Sequence, residues 1–109
     1  MAANKDNTEG KVEAKIDRLI HEPARFMIMA HLFVVDSADF LFLFRHTGLT
    51  WGNLSSHMRK LEAGGYIAVE KEFLDKKPHT MVRLTDAGRN AFIEYRKRMQ
   101  QILEAIPNV

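Results

Sequence analysis

The stretch LFRHTGLTWGNLSSHMRKLEAGG, residues 43–65, decides how the rest of this chain is read. Gly48 stops one helix, because glycine enters the left-handed backbone region that ends helices without steric cost. Leu49 plugs the turn. Thr50 is a natural N-cap, and from Trp51 to Ala63 apolar residues return at helical spacing until Gly64 and Gly65 end the run. A helix, a turn of about three residues containing glycine and a second helix form a helix-turn-helix.

Outward toward the N-terminus, Asp36, Ser37 and Asp39 are turn and cap residues ahead of the run Phe40 to Phe44, which by itself fits strand or helix. Phe40 reads as a short strand or cap, and Leu41 to Thr47 as a helix that buries Leu43 and Phe44 beside Phe40. Leu41 and Phe42 are surplus to so short a helix and are expected to meet the first or last helix. Pro23 suits the first turn of a helix reaching Val35, apolar on more than one side through Phe26, Ile28, Met29, Leu32 and Phe33, and so central and buried. Before it, Val12, Ile16, Leu19 and Ile20 recur at i, i+4, i+7 and i+8, an amphipathic helical stripe ending near His21. Residues 1–10 are polar and are expected to form a disordered tail, leaving 11–109 as one domain.

Outward toward the C-terminus, Tyr66 to Phe73 alternates as a strand does, with Ile67, Val69 and Phe73 on one side. Asp75, Lys76, Lys77 and Pro78 read as the turn, and His79 to Leu84 as the returning strand. A hairpin with a basic tip directly after a helix-turn-helix is a wing. Thr85 caps a final helix, residues 85–106, whose stripe Gly88, Ala91, Phe92, Tyr95, Met99, Ile102, Leu103 and Ile106 is closed by Pro107. The stripe keeps a period near ~3.5, as paired helices do, and outruns the core of a small domain. It is therefore expected to pack on a second copy. The predicted dimerisation residues are Val12, Ile16, Leu19 and Ile20 with Phe92, Tyr95, Met99, Ile102, Leu103 and Ile106.

At 100° per residue, Trp51, Leu54, Met58 and Leu61 share one face of the second helix of the motif and are expected to anchor it to the core. Trp51 receives no binding role. The opposite face carries Gly52, Asn53, Ser56, Arg59, Lys60 and Ala63. Asn pairs bidentately with adenine and Arg with guanine, Ser bonds a base edge or phosphate, and small residues permit close approach. The candidate DNA contacts are Thr50, Gly52, Asn53, Ser55, Ser56, His57, Arg59 and Lys60 on this helix, and Lys76, Lys77 and His79 on the wing.

These motifs resemble the MarR-like and ArsR-like winged-helix regulators: Thr47-Gly48-Leu49-Thr50, Asn53-Leu54-Ser55-Ser56-His57-Met58, Leu61-Glu62-Ala63-Gly64-Gly65-Tyr66-Ile67, Pro78-His79-Thr80 and Leu84-Thr85-Asp86-Ala87-Gly88. The resemblance covers Pro23 to about Tyr95. It implies a mostly α winged helix-turn-helix with a small hairpin wing and added N- and C-terminal dimerisation helices. It also implies a transcription regulator, dimeric through terminal helices, that reads a pseudo-palindromic operator through Asn53, Ser56, Arg59 and Lys60. One departure stands out: ArsR-like metal sensors carry cysteine pairs or terminal His and acid clusters, whereas this chain has no cysteine and no histidine after His79.

Composition agrees with such a domain. The 109 residues are 46% hydrophobic with a formal charge of +2, which permits a nucleic-acid partner without demanding one. The bases concentrate late, at Arg59, Lys60, Lys71, Lys76, Lys77 and Arg83 and again at Arg96, Lys97 and Arg98. Absent cysteine excludes disulfides and thiolate metal sites and fits a cytoplasmic location. No apolar run approaches the ~20 residues that span a bilayer. His21, His31, His46, His57 and His79 lack metal-ligand spacing, so neither metal nor cofactor is expected. Without a glycine-rich phosphate loop or nucleophile motif, enzymatic activity is not expected either. Any effector is then a small organic molecule or a partner protein. Winged helices also serve as protein-binding adaptors, but Arg59, Lys60, Lys76 and Lys77 favour DNA over that alternative.

Overall fold

The computed structural model describes residues 16–108. They run α1 (Pro23–Val34), β1 (Ala38–Asp39), α2 (Phe40–Thr47), α3 (Trp51–Ala63), β2 (Ile67–Leu74), β3 (Lys77–Leu84) and α4 (Asp86–Ala105). Each helix starts where a side chain takes up an amide left without an intrahelical partner. Glu22 accepts from the Arg25 amide at 2.8 Å, with Pro23 opening α1. Asp39 accepts from Leu41 at 2.9 Å, Thr50 from Asn53 at 3.2 Å and Thr85 from Gly88 at 3.0 Å. Gly48 closes α2 at φ 71°, the left-handed stop expected from the sequence.

The first predicted helix is corrected where the structure describes it. Residues 16–21 form a turn, because Asp17 Oδ1 accepts from the amides of Leu19 at 2.9 Å and Ile20 at 3.2 Å, an alternative to helical bonding that aspartate offers its own backbone. Val12 and the tail 1–10 lie outside the described residues. Ile20 is fully buried and joins Ile28, Met29 and Leu32 of α1, Leu43 of α2, Leu54 and Leu61 of α3, and Val82 of β3 as the solvent-free centre of the core. Helix α1 lies at the middle, touching α2, α3, β3 and α4. Burying each such aliphatic side chain stabilises the fold by about 1.5–3 kcal/mol before entropy is charged against it.

The three strands form an antiparallel sheet in the order β1-β3-β2. Ala38 faces Val82, Ile67 faces Leu84, and Leu74 faces Lys77. The hairpin therefore turns on Asp75 and Lys76 alone, at φ 53° and 65°, as a type I′ turn requires. Lys77 and Pro78, expected in the turn, are strand residues. Proline is tolerated there because β1 reaches β3 only at Met81 and Val82, so Pro78 faces Phe73 on one side and no strand on the other. The hairpin leads back to α4, which packs so closely that a side chain at Gly88 would collide with the Tyr66 carbonyl. No helix among the described residues is long and apolar enough to cross a membrane.

Candidate nucleic-acid interface

Helix α3 is fixed from one side only. Leu54, Met58 and Leu61 are buried, and the remaining positions face outward or sideways. Gly52, Asn53, Arg59, Lys60 and Ala63 are exposed, with Ser56 half-buried among them, and Gly52 leaves open space around its backbone. Thr50 is exposed as well, its hydroxyl engaged as the cap.

Along the wing side of α3, Trp51, Ser55 and Arg59 stand one turn apart and border two adjoining grooves. One, of about 440 Å³, runs between Trp51 and Ser55 and the β3 residues Lys77 to Thr80. The other, of about 190 Å³, shares Phe40, Ser55 and Thr80 and adds Arg59 and Val69. Arg59 thus belongs both to the exposed face and to the wall that meets the wing.

His57 points the other way. Its Nδ1 lies 3.1 Å from Arg25 Nη1 and 3.5 Å from Glu22 Oε2, so the ring is held between α1 and α3, at the edge of the exposed face opposite the wing. Burial opposes ionisation of Glu22, yet the Arg25 and Ala24 amides and the charges of His57 and Arg25 hold its carboxyl below the usual range. His79 is likewise engaged, at the stem of the wing, with Nδ1 2.6 Å from Asp39 Oδ2. Nearer the tip, Lys76 and Lys77 are exposed beside Phe73 and Leu74, and Lys71 is exposed on β2 opposite Thr80.

Trp51 departs from its expected place. It is 52% exposed, whereas Leu54 and Met58 are 0% and 4%. Helical geometry supplies the reason, since at 100° per residue Trp51 lies roughly 50° from the middle of the buried stripe. Its ring leans on Phe40 and Phe44, at centroid distances of 4.7 Å and 5.2 Å, and the rest faces the groove. Sequence reasoning left it out of the site, and the only signal was that offset.

The residues expected at a subunit contact divide into two sets. Ile20, Phe92 and Tyr95 are in the core of their own chain, and Ile16 and Leu19 pack against it half-buried. Met99 and Ile102 are half-buried, while Leu103 and Ile106 are 62% and 59% exposed. A groove of about 730 Å³, bordered by Phe26, Phe92, Tyr95, Met99 and Leu103, opens between α1 and the outer turns of α4.

A family model described as the winged helix DNA-binding domain matches residues 24–103. The chain belongs to this winged-helix family. An uncharacterized protein of Methanocaldococcus jannaschii is 29% identical to it over 92 residues, 84% of this chain and 97% of that one. The structure of a transcriptional regulator homologue from Pyrococcus horikoshii superposes with a TM-score of 0.81 at 28% identity, over 86% of this chain and 95% of that one. A Bacillus cereus protein classed as a MarR-like transcription regulator shares the fold at a TM-score of 0.66 and 18% identity, over 94% and 76% of the two chains. The mostly α winged-helix architecture expected from the sequence is the one found, and the MarR-like protein shares that fold. Family and fold point to a DNA-binding transcription regulator rather than an enzyme.

Proposed function

We propose that this winged-helix protein is a sequence-specific regulator of transcription that binds double-stranded DNA as a homodimer on a pseudo-palindromic operator, in the cytoplasm and without catalysis. The observation that carries the reading is the exposed face of α3, where Asn53, Arg59 and Lys60 project beside Gly52 and continue across a groove to the basic wing. Asn and Arg can read base edges in the major groove, and Lys76 and Lys77 can meet phosphates. Leu103 on the last turn of α4 and Ile106 just beyond it, both apolar and exposed, support pairing of two copies. Any effector would be a small organic molecule, or a partner protein.

The test is fluorescence anisotropy on a duplex selected from random DNA by the purified protein and on a scrambled duplex. Arg59→Ala should cost about 1–3 kcal/mol on the selected duplex and much less on the scrambled one. Replacing Lys76 and Lys77 together with Ala should weaken both duplexes alike. It should also flatten log affinity against log salt by roughly one to two per subunit. Equal losses for Arg59→Ala on the two duplexes would refute α3 as the reading helix.

A further inference from the structure

Trp51 leaves half of a large aromatic ring in water although it sits in the first turn of a helix whose neighbouring face is buried. Exposed apolar area forgoes about 25 cal/mol per Å² of stabilisation, so such a ring is better explained by something that covers it in use. The ring is also held in place. Phe40 meets it at 4.7 Å with planes 55° apart and Phe44 at 5.2 Å and 66°, so its free part keeps one orientation.

That free part borders the groove between α3 and the wing, where Ser55 and Thr80 bring hydroxyls and Lys77 a cation. Asp39, on the same groove, has one carboxylate oxygen engaged by His79 and the other by the Leu41 amide. A flat apolar ring beside hydroxyls and an ammonium matches a strand of DNA seen from its backbone, with the sugar against the ring and the phosphate against the donors. We propose that Trp51 is a DNA contact whose exposed ring packs on a deoxyribose of the strand passing between α3 and the wing. The proposal rests on the DNA-binding reading above and adds a residue that contributes affinity without reading sequence.

Trp51 is the single tryptophan of the chain, so intrinsic fluorescence reports on it alone. The full protein is titrated with the selected and the scrambled duplex, anisotropy of the labelled DNA reporting binding and acrylamide quenching reporting the exposure of Trp51. In the complex, quenching should fall by about half or more. Covering roughly 50 Å² of the ring at about 25 cal/mol per Å² corresponds to roughly tenfold, so Trp51→Ala should weaken both duplexes by about that factor, and Trp51→Phe, which keeps a ring against Phe40 and Phe44, by less. Should Trp51→Ala fail to fold, the quenching experiment and Trp51→Phe decide. Unchanged quenching in a complex that anisotropy shows to have formed overturns the contact and leaves the DNA-binding reading intact. A loss confined to the selected duplex overturns the sugar assignment in favour of a base contact. Failure of the unaltered protein to bind any duplex overturns both.

Discussion

His79 on β3 and Asp39 ahead of α2 meet at 2.6 Å, and the same carboxylate caps α2 through the Leu41 amide at 2.9 Å. One side chain thus ties the stem of the wing to the first helix of the helix-turn-helix, next to the point where β1 pairs with β3.

That link should be visible in acid. The His79 hydrogen bond first, and then the Leu41 amide, hold the Asp39 carboxyl below its ordinary range against the opposing effect of burial. A carboxylate depressed in the folded state stabilises the fold above its unfolded pKa and loses that contribution as pH falls through the lower, folded value. Asp39→Asn cannot ionise, so it should melt lower than the unaltered protein at neutral pH and the two should converge as pH drops through and below the carboxylate range. Thermal unfolding followed by circular dichroism over a pH series checks this, and parallel curves would contradict it.

Gly88→Ala should destabilise, although alanine is the better helix former. The added methyl group meets the Tyr66 carbonyl, a backbone group that also accepts the Thr85 amide at 3.0 Å. Forcing it aside should cost about 3 kcal/mol, the upper end for an added core methyl group because the obstacle is backbone, against at most roughly 1 kcal/mol that alanine gains in helix propensity. Urea unfolding measures the difference, and a variant as stable as the parent would show that α4 can shift freely on β2.

Lys76→Gly should have opposite effects on stability and binding. Lys76 sits at φ 65° in a type I′ turn, where a residue with a Cβ costs about 1–2 kcal/mol and glycine does not. The variant should gain up to about 1 kcal/mol in thermal unfolding and lose affinity for selected and scrambled DNA alike. Stabilisation without loss of DNA affinity would remove Lys76 from the interface.

Leu103→Glu should separate subunits without unfolding them. Leu103 is 62% exposed on the last turns of α4, so a charge there costs the isolated chain little and an apolar subunit contact a great deal. Sedimentation at micromolar concentration should show the parent as a dimer and the variant shifted to monomer, with little change in circular dichroism. A monomeric parent would end the homodimer proposal.

The centre of the fold was legible because its signals are local. Gly48 acts through its own backbone and Thr50 through a hydroxyl that reaches only as far as Asn53, and the strand expected from Ile67 onward is found, although it is exposed from Glu70 on. The misreadings arise where a tertiary contact overrides a local pattern. The spacing of Ile16, Leu19 and Ile20 suits a helix, but Asp17 takes two amides and turns the chain so that Ile20 drops into the core. Lys77 and Pro78 look like a turn by composition, yet the register places them in β3 because the turn is completed by Asp75 and Lys76 without a glycine. In the site, Asn53, Arg59 and Lys60 could be placed by angle alone. The engagement of His57 by Arg25 and Glu22, and of His79 by Asp39, joins residues 32 or more positions apart and has no trace in spacing.

The outer part of the hairpin, from Glu70 to Pro78, is exposed on both strands, whereas Leu54, Met58 and Leu61 seat α3 in the core. A two-stranded ribbon with nothing beneath it is only marginally ordered by itself. Stiffness therefore resides in the helix and compliance in the ribbon. If the ribbon meets DNA as proposed, immobilising it would cost conformational entropy, which would temper what its lysines add to affinity. In return, the tip can follow duplexes whose grooves differ in width, so operators that keep the same bases but differ in shape should be discriminated weakly on the wing side.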